Sequence, residues 1–211
     1  LFADAKARRL KRRVLVVGGG PAGMEAARVS ALLGHEVTLV DRNHQLGGTF
    51  RIATLPPGKE DFRRFLTYFP AELERLGVRV LLNKEVSALN ISEFRPEVVI
   101  WATGAVSKIP EIDSSMPVFP AESVYENLPE RGSNVVVFGA TNIGVQTSLY
   151  LGSLGYNVQI VETRKKIGAE MSPVTVRWYL RMKLKEMGIG IYENAADVQF
   201  KDHKCHFSSG D

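Results

Sequence analysis

The residues with the clearest chemical potential are Gly18-Gly19-Gly20-Pro21-Ala22-Gly23, followed 23 positions after Gly18 by Asp41. The first, third and last of these glycines have separate uses. Gly18 permits a tight turn, Gly20 lets bare backbone approach a diphosphate, and Gly23 lets a helix lie close against the preceding strand. A helix opening at Pro21 offers its unpaired N–H groups and positive dipole end to the phosphates. Asp41 stands at the sequence distance where a carboxylate accepts hydrogen bonds from a ribose diol. Gly47-Gly48-Thr49 follow Asp41, and Ala102-Thr103-Gly104 follow the apolar run Val98 to Trp101. A glycine-rich turn tuned only for packing needs Gly23 but not Gly20, so the set reads as a dinucleotide seat. No side chain is nominated as a catalytic acid, base or nucleophile. His35 reads as a turn residue and His44 as a loop residue, neither with a partner for catalysis.

These residues must be held by a strand, a turn and a helix, and the chain supplies that set twice. Residues 14–47 and 135–168 align without a gap at an offset of 121, placing Gly18 on Gly139, Gly23 on Gly144, Gly34 on Gly155, Asp41 on Glu162 and Gly47 on Gly168. So long a period means two related modules in tandem and not a short-period solenoid. Each opens with a four-residue apolar run, Val14 to Val17 or Val135 to Phe138, too short for a helix and suited to a buried parallel strand. Small residues at Ala22, Ala26, Ala27 and Ser30 give the following helix a face that can lie close on a sheet, Gly34 ends it, and Val37 to Val40 form the next strand. Segments 75–83 and 186–194 continue each module into a third strand. The expected fold is α/β, with two tandem Rossmann-like, doubly wound βαβ modules. Residues 106–133, with four prolines, suit a linker better than a regular element.

With its GxGxxG, acid, downstream GG and ATG segments, the chain resembles the flavoproteins built from two dinucleotide-binding domains. More closely, it resembles the C-terminal half of the NADH:flavin oxidoreductases of 2,4-dienoyl-CoA reductase and trimethylamine dehydrogenase type. Segment 46–69, LGGTFRIATLPPGKEDFRRFLTYF, carries much of this likeness, as does the short passage from Asn83 to Trp101. The resemblance spans nearly all of residues 13–200. By its charges 1–13 reads as a basic tail, and the resemblance implies a FAD-type module over 14–105 and an incomplete NAD(P)-type module over 106–211. Carried over by position, it also implies that Gly18, Gly20, Pro21, Ala22, Gly23, Asp41, Arg42, Gly47, Gly48, Thr49, Val86, Ala102, Thr103 and Gly104 touch FAD or its ADP half.

In the second module the corresponding nicotinamide residues are Gly139, Asn142, Ile143, Gly144 and Glu162. Thr141 replaces the second glycine, and its β-branched side chain stands where a pyrophosphate must approach. Glu162 at the ribose position favours NAD over NADP, whereas Arg164, Lys165 and Lys166 could serve a 2′-phosphate. The resemblance leaves two functions open. One is hydride transfer from NAD(P)H to FAD, with electrons passing to an FMN and a 4Fe-4S centre on an N-terminal barrel domain outside these residues. The other is a structural ADP-binding module without redox work, as in the trimethylamine dehydrogenase branch.

The lack of an initiator Met, and an end at Lys201 to Asp211 near a hairpin where family chains turn back to complete the flavin site, read as a C-terminally truncated piece of a longer protein. Weak or absent FAD, residual binding of ADP-containing ligands and no turnover by the piece alone are the expectations.

Composition narrows the remaining classes. The 211 residues are 45% apolar and 24% charged, as in folded globular chains. Six of the 27 basic residues lie in the first 13 positions, leaving 21 basic against 22 acidic in the rest, so the high charge belongs to the tail. Neither nucleic acid nor a membrane is an expected partner, and no apolar run nears the roughly 20 residues of a bilayer span. The single cysteine, Cys205, excludes an internal disulfide and a redox cysteine pair, and a cytoplasmic location is the default. His203, Cys205 and His206 alternate in direction on a strand or hairpin and lack a second cluster, so no metal site is expected. Phe62, Phe65, Leu66 and Phe69 have helical spacing and read as core.

Overall fold

The structure, a computed structural model, describes residues 10–107, 109 and 117–209. Most of the expected basic tail (1–9) and part of the expected linker (108 and 110–116) lie outside the described residues. The chain divides into two compact units: one runs through Thr54 and again over Lys59–Val106, the other takes Leu55–Gly58 and the chain from Ser107 onward.

In the first unit, strand β1 (Arg13–Val17) leads through the glycine turn into helix α1 (Pro21–Leu32), then strand β2 (Glu36–Val40). Pro21 sits in the first turn of α1, where its missing N–H is no loss. Gly34, at φ +90°, closes the helix, its N–H donating to the Ala31 carbonyl and that of His35 to Ser30. A short helix α2 (Phe50–Ala53), helix α3 (Arg63–Arg75), β3 (Arg79–Leu81) and β4 (Val98–Trp101) follow. The four strands are all parallel in the order β3-β2-β1-β4. β1 is central and paired on both sides, which is why Val14 to Val17 are all buried and apolar. One face packs Val14, Val16, Val37 and Leu39 with Met24, Ala27 and Leu73; the other packs Leu15, Val17 and Val40 under Val86, Ile91 and Phe94. Phe65 and Phe69 join the first of these clusters, but Phe62 precedes α3 and is 52% exposed, which corrects its placement in the core.

The second unit repeats the opening: β5 (Asn134–Phe138), helix α4 (Asn142–Ser153), β6 (Asn157–Val161), helix α5 (Val174–Glu186) and β7 (Gly190–Tyr192). Its parallel sheet runs β5-β6-β7. The segment expected to be a plain linker contains a 3₁₀ helix over Ala121–Tyr125. The reason is packing: Val124 is buried, and the Tyr125 ring stacks on Tyr150 at 4.7 Å. An antiparallel hairpin, β8 (Ala195–Lys201) and β9 (Lys204–Ser209), turns at Asp202-His203, both with positive φ. That is the backbone of a tight two-residue hairpin turn. Among the described residues no helix is long and apolar enough to cross a membrane, and no group of three or more His, Cys, Asp or Glu residues could hold a metal ion.

Candidate functional site

In the first unit, β1 has β2 on one side and β4 on the other, so a crevice opens beyond the C-terminal ends of β1 and β4. The Gly18 N–H donates to the Val40 carbonyl and the Ala102 N–H to Val17, both at 2.8 Å. Two segments more than 80 residues apart in sequence thereby meet at the ends of the strands. Gly18 adopts φ +110°, and a Cβ there would lie 2.2 Å from the Ala102 oxygen. A Cβ on Gly23 would lie 1.8 Å from the Gly18 oxygen. Both positions are therefore glycine for steric reasons internal to the fold.

Gly20 differs. A Cβ at that position would meet nothing within 4 Å, and its φ of −73° is open to any residue. Fold packing gives no reason for glycine there. An approaching ligand does, because Gly20 immediately precedes α1, whose first-turn N–H groups lack helical partners. The Gly47 N–H donates to the Gly19 carbonyl at 2.8 Å, and a Cβ on Gly48 would come within 3.0 Å of the Gly20 Cα. The Gly47-Gly48 loop thus folds back beside the same cradle, whose bare backbone and helix end fit a dinucleotide diphosphate.

Asp41 is buried beside this turn. One carboxylate oxygen accepts the Gly19 N–H and the other accepts the Asn43 N–H at 2.7 Å. A carboxylate has about four acceptor positions, so these two bonds leave capacity for hydroxyl donors. Pro21, Ala22, Thr49, Thr103 and Gly104 surround or flank the crevice at intermediate to exposed positions, with Ala102 partly covered against Gly18. Arg42 is an exposed side chain, and Val86 packs into the Leu15, Val17 and Val40 cluster. Its side chain is only partly buried.

The second unit repeats the bonds around its own glycine turn, without, among the described residues, the strand that corresponds to β4. Gly139 donates to Val161 as Gly18 does to Val40; Gly168 donates to Ala140 at 2.7 Å as Gly47 does to Gly19. Glu162, 2% exposed, accepts the Ala140 N–H at 2.7 Å and the Arg164 N–H at 2.9 Å, as Asp41 accepts those of Gly19 and Asn43. A Cβ on Gly144 would lie 2.1 Å from the Gly139 oxygen, the counterpart of Gly23. Thr141 has φ −63° and ψ 176°, close to the Gly20 backbone, so its side chain occupies without strain the position left bare in the first unit. Asn142 and Ile143 are exposed at the head of α4.

Two residues complete the picture: Arg164, expected to be free for a 2′-phosphate but engaged with carboxylates of its own unit, and Glu170, to which sequence reasoning gave no role. The Arg164 guanidinium holds Glu162 with two bonds and reaches Glu170 at 3.2 Å. Glu170 in turn accepts the Asn142 N–H at 2.7 Å, at the first residue of α4. Burial alone would raise the Glu162 pKa, but the Arg164 side chain and the Arg164 and Ala140 N–H groups outweigh it and hold the carboxyl below its usual value. For Glu170, burial again raises, while backbone N–H donors and Arg164 lower it further. The available signal for Glu170 was its register: it lies 121 positions after Thr49.

Comparison with known proteins bears on the family and the fold. The family model described as pyridine nucleotide-disulphide oxidoreductase matches residues 12–210. Cinnamate reductase of Clostridium sporogenes is 40% identical over 77% of this chain and 24% of its own length. NADH oxidase of Thermoanaerobacter brockii is 35% identical over 90% of this chain and 30% of its own. A solved 2-naphthoyl-CoA reductase superposes with a TM-score of 0.88 at 28% identity, over 97% of this chain and 32% of its own. The chain thus spans about a quarter to a third of the length of these relatives. The matched part corresponds to the C-terminal FAD/NAD-binding part of 2,4-dienoyl-CoA reductase and trimethylamine dehydrogenase-type enzymes.

Proposed function

Because the chain belongs to the pyridine nucleotide-disulphide oxidoreductase family, we propose that it is the dinucleotide-binding portion of an NAD(P)H-dependent flavoprotein oxidoreductase. The first unit holds FAD, or its ADP half, and the second takes NAD(P)H. The observation that carries this reading is Gly20: a bare Cα facing open space, at the head of a helix, with Asp41 beside it. In the first unit, the α1 N-terminus and the Gly20 and Gly48 backbone would receive the diphosphate, and Asp41 the ribose hydroxyls. When bound, a flavin supplies two-electron redox chemistry that no side chain of this protein supplies. The protein's own contribution is binding, orientation and fixed charge. In a longer parent protein, the electrons would continue to an FMN and a 4Fe-4S centre on an N-terminal barrel domain.

A second reading is a structural ADP-binding module. It is favoured by Thr141, whose side chain stands at the position kept bare at Gly20. Calorimetry with ADP, FAD and NADH, together with NADH-dependent reduction of added flavin or dye, tests both. Heat with ADP or FAD and nicotinamide-dependent turnover support the oxidoreductase. Heat with ADP and none with NADH supports the structural module, because no turnover is expected of the piece alone under either reading. No heat with any of the three, on folded protein, removes both.

A further inference from the structure

The two units share one hydrogen-bonded frame, so the places where their residues differ carry information. Four differences converge on a single point, the head of α4. Thr141 replaces Gly20, Asn142 replaces Pro21, Arg164 replaces Asn43 and Glu170 replaces Thr49. In the first unit the opening residue of the helix is a proline without an N–H, and the residue at the end of the Gly47-Gly48 loop is an uncharged threonine. In the second, the opening residue has an N–H, and the loop delivers a carboxylate to it at 2.7 Å. That carboxylate also pairs with Arg164 at 3.2 Å, and Arg164 holds the buried Glu162 at 2.8 Å. An anion belonging to the protein therefore occupies the end of α4, where partial positive charge receives a phosphate in folds of this kind.

We propose that Glu170 is a resident competitor for the anion seat of the second unit: its carboxylate holds the end of α4 closed, and a nicotinamide dinucleotide seats its diphosphate there only by displacing it. The proposal rests on the reading of the second unit as a nicotinamide site. Glu170 is suited to this role because its side chain is 43% exposed on a surface loop and can swing away. Arg164, equally exposed, is anchored through Glu162 and remains behind as a cation facing the incoming phosphates. Glu170 thus sets a threshold for nucleotide entry that the first unit, with Thr49, does not impose.

The test is a titration of NADH into the isotope-labelled 211-residue chain and its E170T and E170Q variants, followed at the backbone amide resonance of Asn142. Thr restores the residue of the first unit, and Gln keeps the shape while removing the charge. We expect NADH affinity, read at Asn142, to rise about ten-fold or more in both variants, the scale of one charge-assisted hydrogen bond removed from the competition. The Asn142 resonance of the nucleotide-free protein should also move on either replacement. Equal or weaker NADH affinity in both variants would overturn the competition and leave Glu170 as a helix cap. If NADH perturbs Asn142 in none of the three proteins, the nicotinamide reading fails and the competition with it. ADP-induced shifts at Gly18 to Gly23, recorded on the same samples, separate that outcome from failure of the first unit's site.

Discussion

Arg164 holds Glu162 through two parallel hydrogen bonds, Nη2 to Oε2 at 2.8 Å and Nε to Oε1 at 3.1 Å. The pair joins a carboxylate that is almost fully buried to a guanidinium that is about half exposed. Removing the cation leaves the acid with only its two backbone donors. Arg164→Ala should therefore destabilise the second unit by about 1–2 kcal/mol, less than a fully buried pair because solvent screens the exposed partner. Urea unfolding followed at Trp178, which lies in that unit on α5, checks it.

The two glycines at either end of α1's first turn should behave oppositely. A Cβ on Gly23 collides with the Gly18 carbonyl, whereas a Cβ on Gly20 enters open space. Gly23→Ala should cost about 3 kcal/mol or more of stability, since backbone must move to accommodate it. Gly20→Ala should leave the thermal midpoint within about 2 °C yet weaken ADP binding about ten-fold. Thermal melts and calorimetry on the two variants separate the packing glycine from the ligand-facing one.

Acid should loosen the second unit through Glu162. Its carboxyl is held below the ordinary value by Arg164 and two N–H groups despite burial. A group with a depressed folded pKa contributes stability that is fully present above the unfolded value and lost as pH falls through the folded one. Stability should thus decline on acidification below the ordinary glutamate range. Glu193, lowered by Arg181 and the Ile167 N–H against its burial, acts in the same direction. Glu162→Gln should flatten the acid limb of a plot of urea midpoint against pH; an unchanged limb would assign it to other carboxylates.

Thr141→Gly tests the steric obstacle alone. The threonine side chain caps nothing, and its backbone is extended, so the stability cost should be a few tenths of a kcal/mol. NADH affinity should rise if the β-branched side chain blocks the diphosphate. Fluorescence titration of NADH against both proteins gives the answer.

Much of this architecture was legible from sequence because its signals are local. β1 and β5 announce themselves as short apolar runs ended by glycine, and Pro21 and Gly34 mark both ends of α1. The 121-residue register put Asp41 and Glu162 at equivalent positions, and each does the same backbone work in its unit. What escaped depends on tertiary contact. Tyr125 makes a 3₁₀ turn ordered by stacking on Tyr150, with nothing in its own segment to announce it. Glu170 acquires its meaning only when the loop carrying it folds back to Ala140, a contact fixed by Gly168. Phe62 shares the period of Phe65 and Phe69 but lies one turn too early to reach the sheet-facing cluster.

The approach of the Ala102 carbonyl to Gly18 also sets an order of events during synthesis. The turn after β1 leaves the ribosome ahead of β4, and the wall against which it is shaped arrives only with that later strand. Until that later strand has docked, the emerging chain owns the glycine motif without owning the crevice, and a nucleotide in the cell has no finished surface to meet.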